Sequence, residues 1–153
     1  MNKIDWIIIF AIILSVVSVI YYVENFTGEN KEIMGTTHIT APKGYVLNKE
    51  NYDHYTLNNG SNQLDIRIFY KESVDYLIHN YLTEHKDDNV TQDTMVINAN
   101  DKINKVKLVD NNTTDVNYYF RKNNVTYQVT THEDIVGTYG TDYQVKELFR
   151  SMI

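Results

Sequence analysis

The eighteen residues from Trp6 to Val23, WIIIFAIILSVVSVIYYV, include two serines and no charged side chain. At about 1.5 Å rise per residue a helix over this run reaches roughly 27 Å, close to the hydrocarbon core of a bilayer, about 30 Å thick. Trp6, Tyr21 and Tyr22 stand at its ends, where amphipathic rings favour the membrane interfaces. The run therefore predicts a transmembrane helix over 6–23. A secretory signal places a small-residue cleavage site after its apolar core, whereas the one candidate here, Val16-Val17-Ser18, lies inside the run. An uncleaved anchor is the better reading. The amino terminus and Lys3 oppose Asp5 before the run, and Glu24, Glu29, Lys31 and Glu32 follow it. The small positive excess is N-terminal. Residues 1–5 are thus expected as a cytoplasmic tail of a single-pass cell-membrane protein, with the C-terminal domain extracytoplasmic.

The absence of cysteine removes disulfides, thiol chemistry, cysteine zinc sites and a lipid-modified cysteine. Packing alone must hold the domain, and roughly 115 residues suffice for one core. The net charge is −6 and no Lys/Arg cluster occurs, which argues against a nucleic-acid surface. Six Asn-x-Ser/Thr sequences, at Asn25, Asn59, Asn89, Asn111, Asn112 and Asn124, fit an exterior address, although a chain with 18 asparagines produces several by chance.

After the anchor, residues 24–37 (ENFTGENKEIMGTT) are polar, hold two glycines and lack either period, and so predict a linker. The folded domain is expected over 38–153. It opens with an extended segment, His38 to Thr40, and a Pro42-containing turn. A strand over Asp53 to Leu57 and a return strand over Gln63 to Tyr70 flank Asn59-Gly60, a type I′ signal that would set Tyr55 against Leu64. Apolar spacing then changes to i, i+3, i+4, i+7 at Val74, Leu77, Ile78, Tyr81 and Leu82, with Ser73 as N-cap. Further strands are expected at Thr94 to Asn98, Ile103 to Val109, Val116 to Arg121 and Val125 to Thr131. The last two are joined at Asn123-Asn124, which sets Phe120 against Tyr127 and Tyr118 against Val129. A capping-box form, Thr141 to Gln144, precedes a closing helix with Val145, Leu148, Phe149 and Met152 on one stripe. The order indicates an α+β fold: a mainly antiparallel sheet of about six or seven strands packed with two amphipathic helices.

With Ile39-Thr40-Ala41-Pro42-Lys43-Gly44-Tyr45 at its start, Tyr118-Tyr119-Phe120 leading into a tyrosine-bearing hairpin, and Val145 to Met152 at its end, this layout resembles the PsbP/Mog1-like α/β/α sandwich. The resemblance covers about 115 residues and is one of pattern. It implies an accessory or binding domain, of the kind that helps assemble larger complexes, and it carries over no functional residues.

Read residue by residue, no catalytic, metal or cofactor motif emerges. His38, His54, His79, His85 and His132 are scattered, without the spacing of a ligand pair. His132-Glu133-Asp134 is the densest group of candidate ligands. Two Asp/Asn clusters, Asp87 to Asp93 and Asp110 to Asp115, lack the glycine and distal glutamate of a calcium loop. Gly137 to Thr141 precedes a helix but lacks the Gly-Lys-Ser/Thr ending of a P-loop, and no serine lies in Gly-x-Ser-x-Gly. Among thirteen tyrosines, Tyr119 alternates out of step with Tyr118 and Phe120, which places it on the opposite sheet face beside Gln128. There it faces either a partner or a covering helix. Tyr139 and Tyr143 near the last loop form a second patch. The candidate interaction surface is therefore Tyr119, Gln128, His132, Glu133, Tyr139 and Tyr143. These observations lead to a membrane-anchored domain that engages a protein partner in the envelope, without catalysis or cofactor, and membrane lipid through residues 6–23. The alternative is a small-molecule or ion sensor using the 132–140 loop; an envelope enzyme stands third.

Overall fold

The computed structural model describes residues 3–26, 30–33, 37–42, 44–110, 113–135, 137 and 140–152. The apolar run is helical, as α1 (Lys3–Phe26). Its window Ile4–Tyr21 is long and apolar enough to cross a membrane, and none of that window is buried against the rest of the chain.

Within the polar stretch expected as a linker, the described residues form regular structure. Helix α1 runs on to Phe26, and β1 (Asn30–Ile33) pairs antiparallel with β2 (Thr37–Thr40). The reason lies outside the stretch. Strand β2 is held by Ile39, which is fully buried, and by Thr40 N–H donating to Ser151 Oγ at 2.7 Å. Its free edge then supplies β1 with backbone partners that need no apolar period of β1's own.

Seven further strands make one antiparallel sheet. In chain order they are β3 (Val46–Lys49), β4 (His54–Asn58), β5 (Gln63–Phe69), β6 (Val90–Val96), β7 (Lys102–Val109), β8 (Thr114–Lys122) and β9 (Val125–Thr131). Across the sheet they run β3-β4-β5-β9-β8-β7-β6. Two meanders therefore meet where β5 pairs with β9, Ile66 against Val129 and Ile68 against Tyr127. Helix α2 (Val74–Glu84) links the meanders, and α3 (Thr141–Arg150) closes the fold.

The hairpins differ in how far their sequence signals held. Asn123 and Asn124 both adopt positive φ, 51° and 64°, and the strands pair Phe120 with Tyr127 and Tyr118 with Val129. At the first hairpin the register is Tyr55 with Ile66 and Leu57 with Leu64, two residues from that expected. Asparagine side chains cause the shift. Asn58 Oδ1 accepts from Gly60 N–H, and Asn59 Oδ1 accepts from Ser61 and Asn62 N–H, which builds a four-residue loop instead of a two-residue turn. A shift of two keeps every side chain on its face, so the buried set is unchanged. Strands β3 and the first half of β6 were not expected, because polar edge strands carry little apolar alternation.

One sheet face holds Tyr55, Leu57, Leu64, Ile66, Ile68, Ile103, Val116, Tyr118, Phe120, Tyr127 and Val129. Ile39 and Ala41 cover it together with Val145, Leu148 and Phe149 of α3 and with Met152, and the Phe120 and Phe149 rings lie 4.9 Å apart. At about 1.5–3 kcal/mol per fully buried large apolar side chain, this layer dominates the stability of the domain. Helix α2 covers part of the other face. Ser73 caps it, accepting from Tyr76 N–H at 3.2 Å, but none of its residues is fully buried.

The capping box expected at Thr141 does not form: Gly140 is the N-cap of α3 and Thr141 is its first residue. The preceding loop folds back so closely that Thr141 N–H donates to Ile135 O at 2.9 Å, while the Thr141 hydroxyl donates to Glu133 O and accepts from Ile135 N–H. A Cβ at position 140 would stand 1.9 Å from the Ile135 carbonyl oxygen. Gly140→Ala should therefore destabilise the domain by about 1–3 kcal/mol. Urea unfolding in detergent micelles checks this, as a lower midpoint at unchanged slope.

Candidate functional site

Side chains on one face of a strand repeat every second residue, so Ile103, Lys105 and Lys107 of β7 point the same way as the core. Ile103 is fully buried. Two residues on, the same face turns polar, and the Lys105 side chain is only 13% exposed. Its ammonium donates to Asp142 Oδ1 at 2.7 Å and lies 3.8 Å from Asp134 Oδ1. Lys107 is paired with the other oxygen of Asp134, a residue of the loop after β9. Tyr118, fully buried on β8, donates its hydroxyl to the same Asp142 oxygen at 2.7 Å, and Lys105 Nζ sits 5.7 Å from its ring centre. The network thus ties strands β7 and β8 to the late loop and the first turn of α3. Asp142 also stands where an anion complements the helix dipole.

The electrostatics follow from this geometry. Burial pushes the Asp142 carboxyl up, but hydrogen bonds from Lys105 and Tyr118 and the nearby charges of Lys105 and Lys107 outweigh it and hold the group below its ordinary value of 3.8. Burial, and then the hydrogen bond to Asp142, push the Tyr118 phenol far up, so it stays a neutral donor. Beside the network lies a cleft of about 270 Å³ lined by Thr91, Gln92, Asp93, Lys105 and Lys107. It presents cationic donors, a hydroxyl, an amide and an exposed carboxylate at once. Among the described residues no three His, Asp or Glu side chains converge as a metal site.

The residues expected to form an interaction surface do not form one patch. Tyr119 does lie on the face opposite Tyr118, paired with Gln128, but it is 1% exposed. Burial raises its phenol, as do the neighbouring Tyr81 and Glu84 of α2, so the covering helix and not a partner fills that face. Gln128 is half-buried and serves this interior: its amide donates to Asn117 Oδ1 at 2.9 Å, beside Thr130 at 2.7 Å. The Tyr81 hydroxyl is enclosed against Asn117 without a hydrogen bond of good geometry. His132 is exposed and pairs with Asp115 at 2.5 Å; Glu133 is exposed and gives its carbonyl to the Thr131 and Thr141 hydroxyls. Tyr143 is half-buried on α3, and Tyr139 lies outside the described residues. Sequence reasoning missed Lys105, Lys107, Asp134 and Asp142 as a unit. A signal existed in two lysines occupying the inward phase set by Ile103.

No family model matches the chain, and no curated protein matches it. Among solved structures it is similar to a protein of Bacteroides thetaiotaomicron VPI-5482, solved by crystallography at 1.50 Å resolution, with a TM-score of 0.53 and 11% identity. The match covers 84% of this chain and 48% of that one, so the chain spans about half the length of that protein. The likeness is one of fold.

A carboxyl held below its ordinary value stabilises the folded state above that value and loses the contribution as the pH falls through the lowered one. Asp142→Asn should therefore be less stable than the wild type at about pH 6, and the gap should narrow as the pH falls below the ordinary value of 3.8. The effect will be modest, because the side chain is 51% exposed. Paired urea titrations above and below pH 3.8 measure it.

Proposed function

We propose that this chain is a single-pass membrane protein whose α+β domain stands outside the cytoplasm and binds a protein partner in the cell envelope, without chemistry of its own. The observation that carries the reading is α1. Ile7, Phe10, Ile12, Leu14, Val17 and their neighbours are exposed throughout the window Ile4–Tyr21. Water disfavours a continuous apolar surface of this extent, and a bilayer accommodates it as a helix whose backbone groups are satisfied internally. The resemblance to PsbP/Mog1-like domains supports an accessory, partner-binding role for the remainder.

A second reading has its own support. The cleft beside Lys105 and Lys107, next to the loop that begins at His132, is close to the lower limit of about 300 Å³ for small-ligand pockets. That favours a small polar ligand and a sensing role.

Topology tests the first reading. Full-length protein should sediment with membranes and resist carbonate extraction, and a C-terminal epitope should be digested by protease added outside intact spheroplasts. Recovery from the soluble fraction, or an epitope protected until lysis, would overturn it.

A further inference from the structure

Strand β6 ends the sheet. It pairs with β7 along one side, and no described strand pairs with the other. Two hydrogen bonds at the ends of the ladder set the phase of its backbone. Val109 N–H donates to Asn89 O at 3.1 Å, and Ile97 N–H donates to Asp101 O at 3.0 Å. Hydrogen-bonded and non-hydrogen-bonded pairs alternate along antiparallel strands. Thr91, Asp93 and Met95 therefore turn their backbone groups toward β7, while the N–H and C=O of Val90, Gln92, Thr94 and Val96 point out from the sheet, the Thr94 N–H there donating to Asp93 Oδ1. Such an edge is a template for another strand, and proteins usually blunt it with proline, lysine, a bulge or short length. Strand β6 has seven residues, no proline, no lysine and an unbroken register with β7. The opposite edge, β3, is four residues long and ends in Lys49.

We infer that β6 is a strand-addition site for an extended segment of another protein that carries a basic side chain opposite Asp93. The inference rests on the partner-binding reading above and names where that partner docks. Added strands gain affinity from main-chain hydrogen bonds and specificity from alternate side chains. Toward the lysine cleft β6 presents Thr91, Asp93 and Met95, and Met95 packs half-buried against the core. Asp93 is exposed, and its carboxylate accepts only from Thr94 N–H, at 2.7 Å, among the described residues. Its cross-strand neighbour Lys105 is already taken by Asp142. Around the cleft the carboxylates of Asp93, Asp134 and Asp142 outnumber the ammonium groups of Lys105 and Lys107, so an incoming cation is attracted. A second copy of this chain is disfavoured: pairing about the middle of the strand sets Asp93 against Asp93, and like charges directly opposite repel. The matching antiparallel segment carries an apolar residue, a basic residue and a threonine or β-branched residue at alternate positions.

The probe is the fluorescent peptide acetyl-Thr-Val-Thr-Lys-Thr-Thr-Thr-amide, titrated by anisotropy against the full chain in detergent micelles. Saturable binding is expected. Gln92→Pro removes an outward donor and no bond to β7, and should weaken binding about tenfold or more. Asp93→Lys should weaken it similarly and restore binding to a peptide with glutamate in place of its lysine. Where proline disturbs folding, as read by circular dichroism, N-methylation of the third and fifth peptide residues should abolish binding instead. Absence of saturable binding, or binding indifferent to both backbone blocks, overturns the proposal. So does a wild-type dimer in sedimentation that Gln92→Pro dissociates, since a second copy then occupies the edge. Partner capture in native membranes that survives Gln92→Pro would keep the function proposed above and remove this edge from it. A failed topology test would leave the peptide result standing.

Discussion

Burial of one face of strands β5, β9 and β8 beneath α3 is the interaction on which the rest of the domain depends. With no cysteine to form a disulfide, the chain relies on a layer in which Phe120 meets Phe149 and Ile66 meets Val129. Those contacts join residues far apart in sequence. They bring β2 against α3, and β2 in turn templates β1, so strand pairing reaches back to Asn30, behind the apolar helix α1. The other face depends less on apolar burial. Helix α2 lies over it with no fully buried residue of its own, above a polar set built around Asn117, Gln128 and Thr130.

The candidate site lies where the apolar layer runs out. On β7 the inward phase passes from Ile103 to Lys105 and Lys107, and an ammonium at the margin of a core is tolerable only with carboxylates in reach. Asp134 and Asp142 supply them from the loop and the helix that follow β9. One network therefore locks the late loop to the sheet and charges the wall of the cleft beside β6. Site and edge adjoin because both belong to the end of the sheet that α3 does not cover with apolar side chains.

How much was legible in advance depends on whether a residue's partner lay nearby in sequence. The hairpin at Asn123-Asn124 was readable to its register, since two residues with positive φ fix a two-residue turn. Asn59-Gly60 carried the same signal, yet Asn58 and Asn59 turned their side chains onto the loop backbone and lengthened it. Tyr119 was placed on the correct face, but nothing local could reveal that α2 covers it. The order in β1, and Gly140 instead of Thr141 as the N-cap, came from distant or folded-back backbone.

By itself the sequence determined the apolar helix, the α+β class, the two amphipathic stripes and the side chains that face inward, because all of these follow from periods of 3.6 and 2 along the chain. Only the tertiary structure decided the strand order, the covering of Tyr119, the meeting of Lys105, Lys107, Asp134 and Asp142, and the exposure of β6 as an edge. Each of those is a relation between segments separated by tens of residues. Periodicity records which way a side chain points, not what stands opposite it.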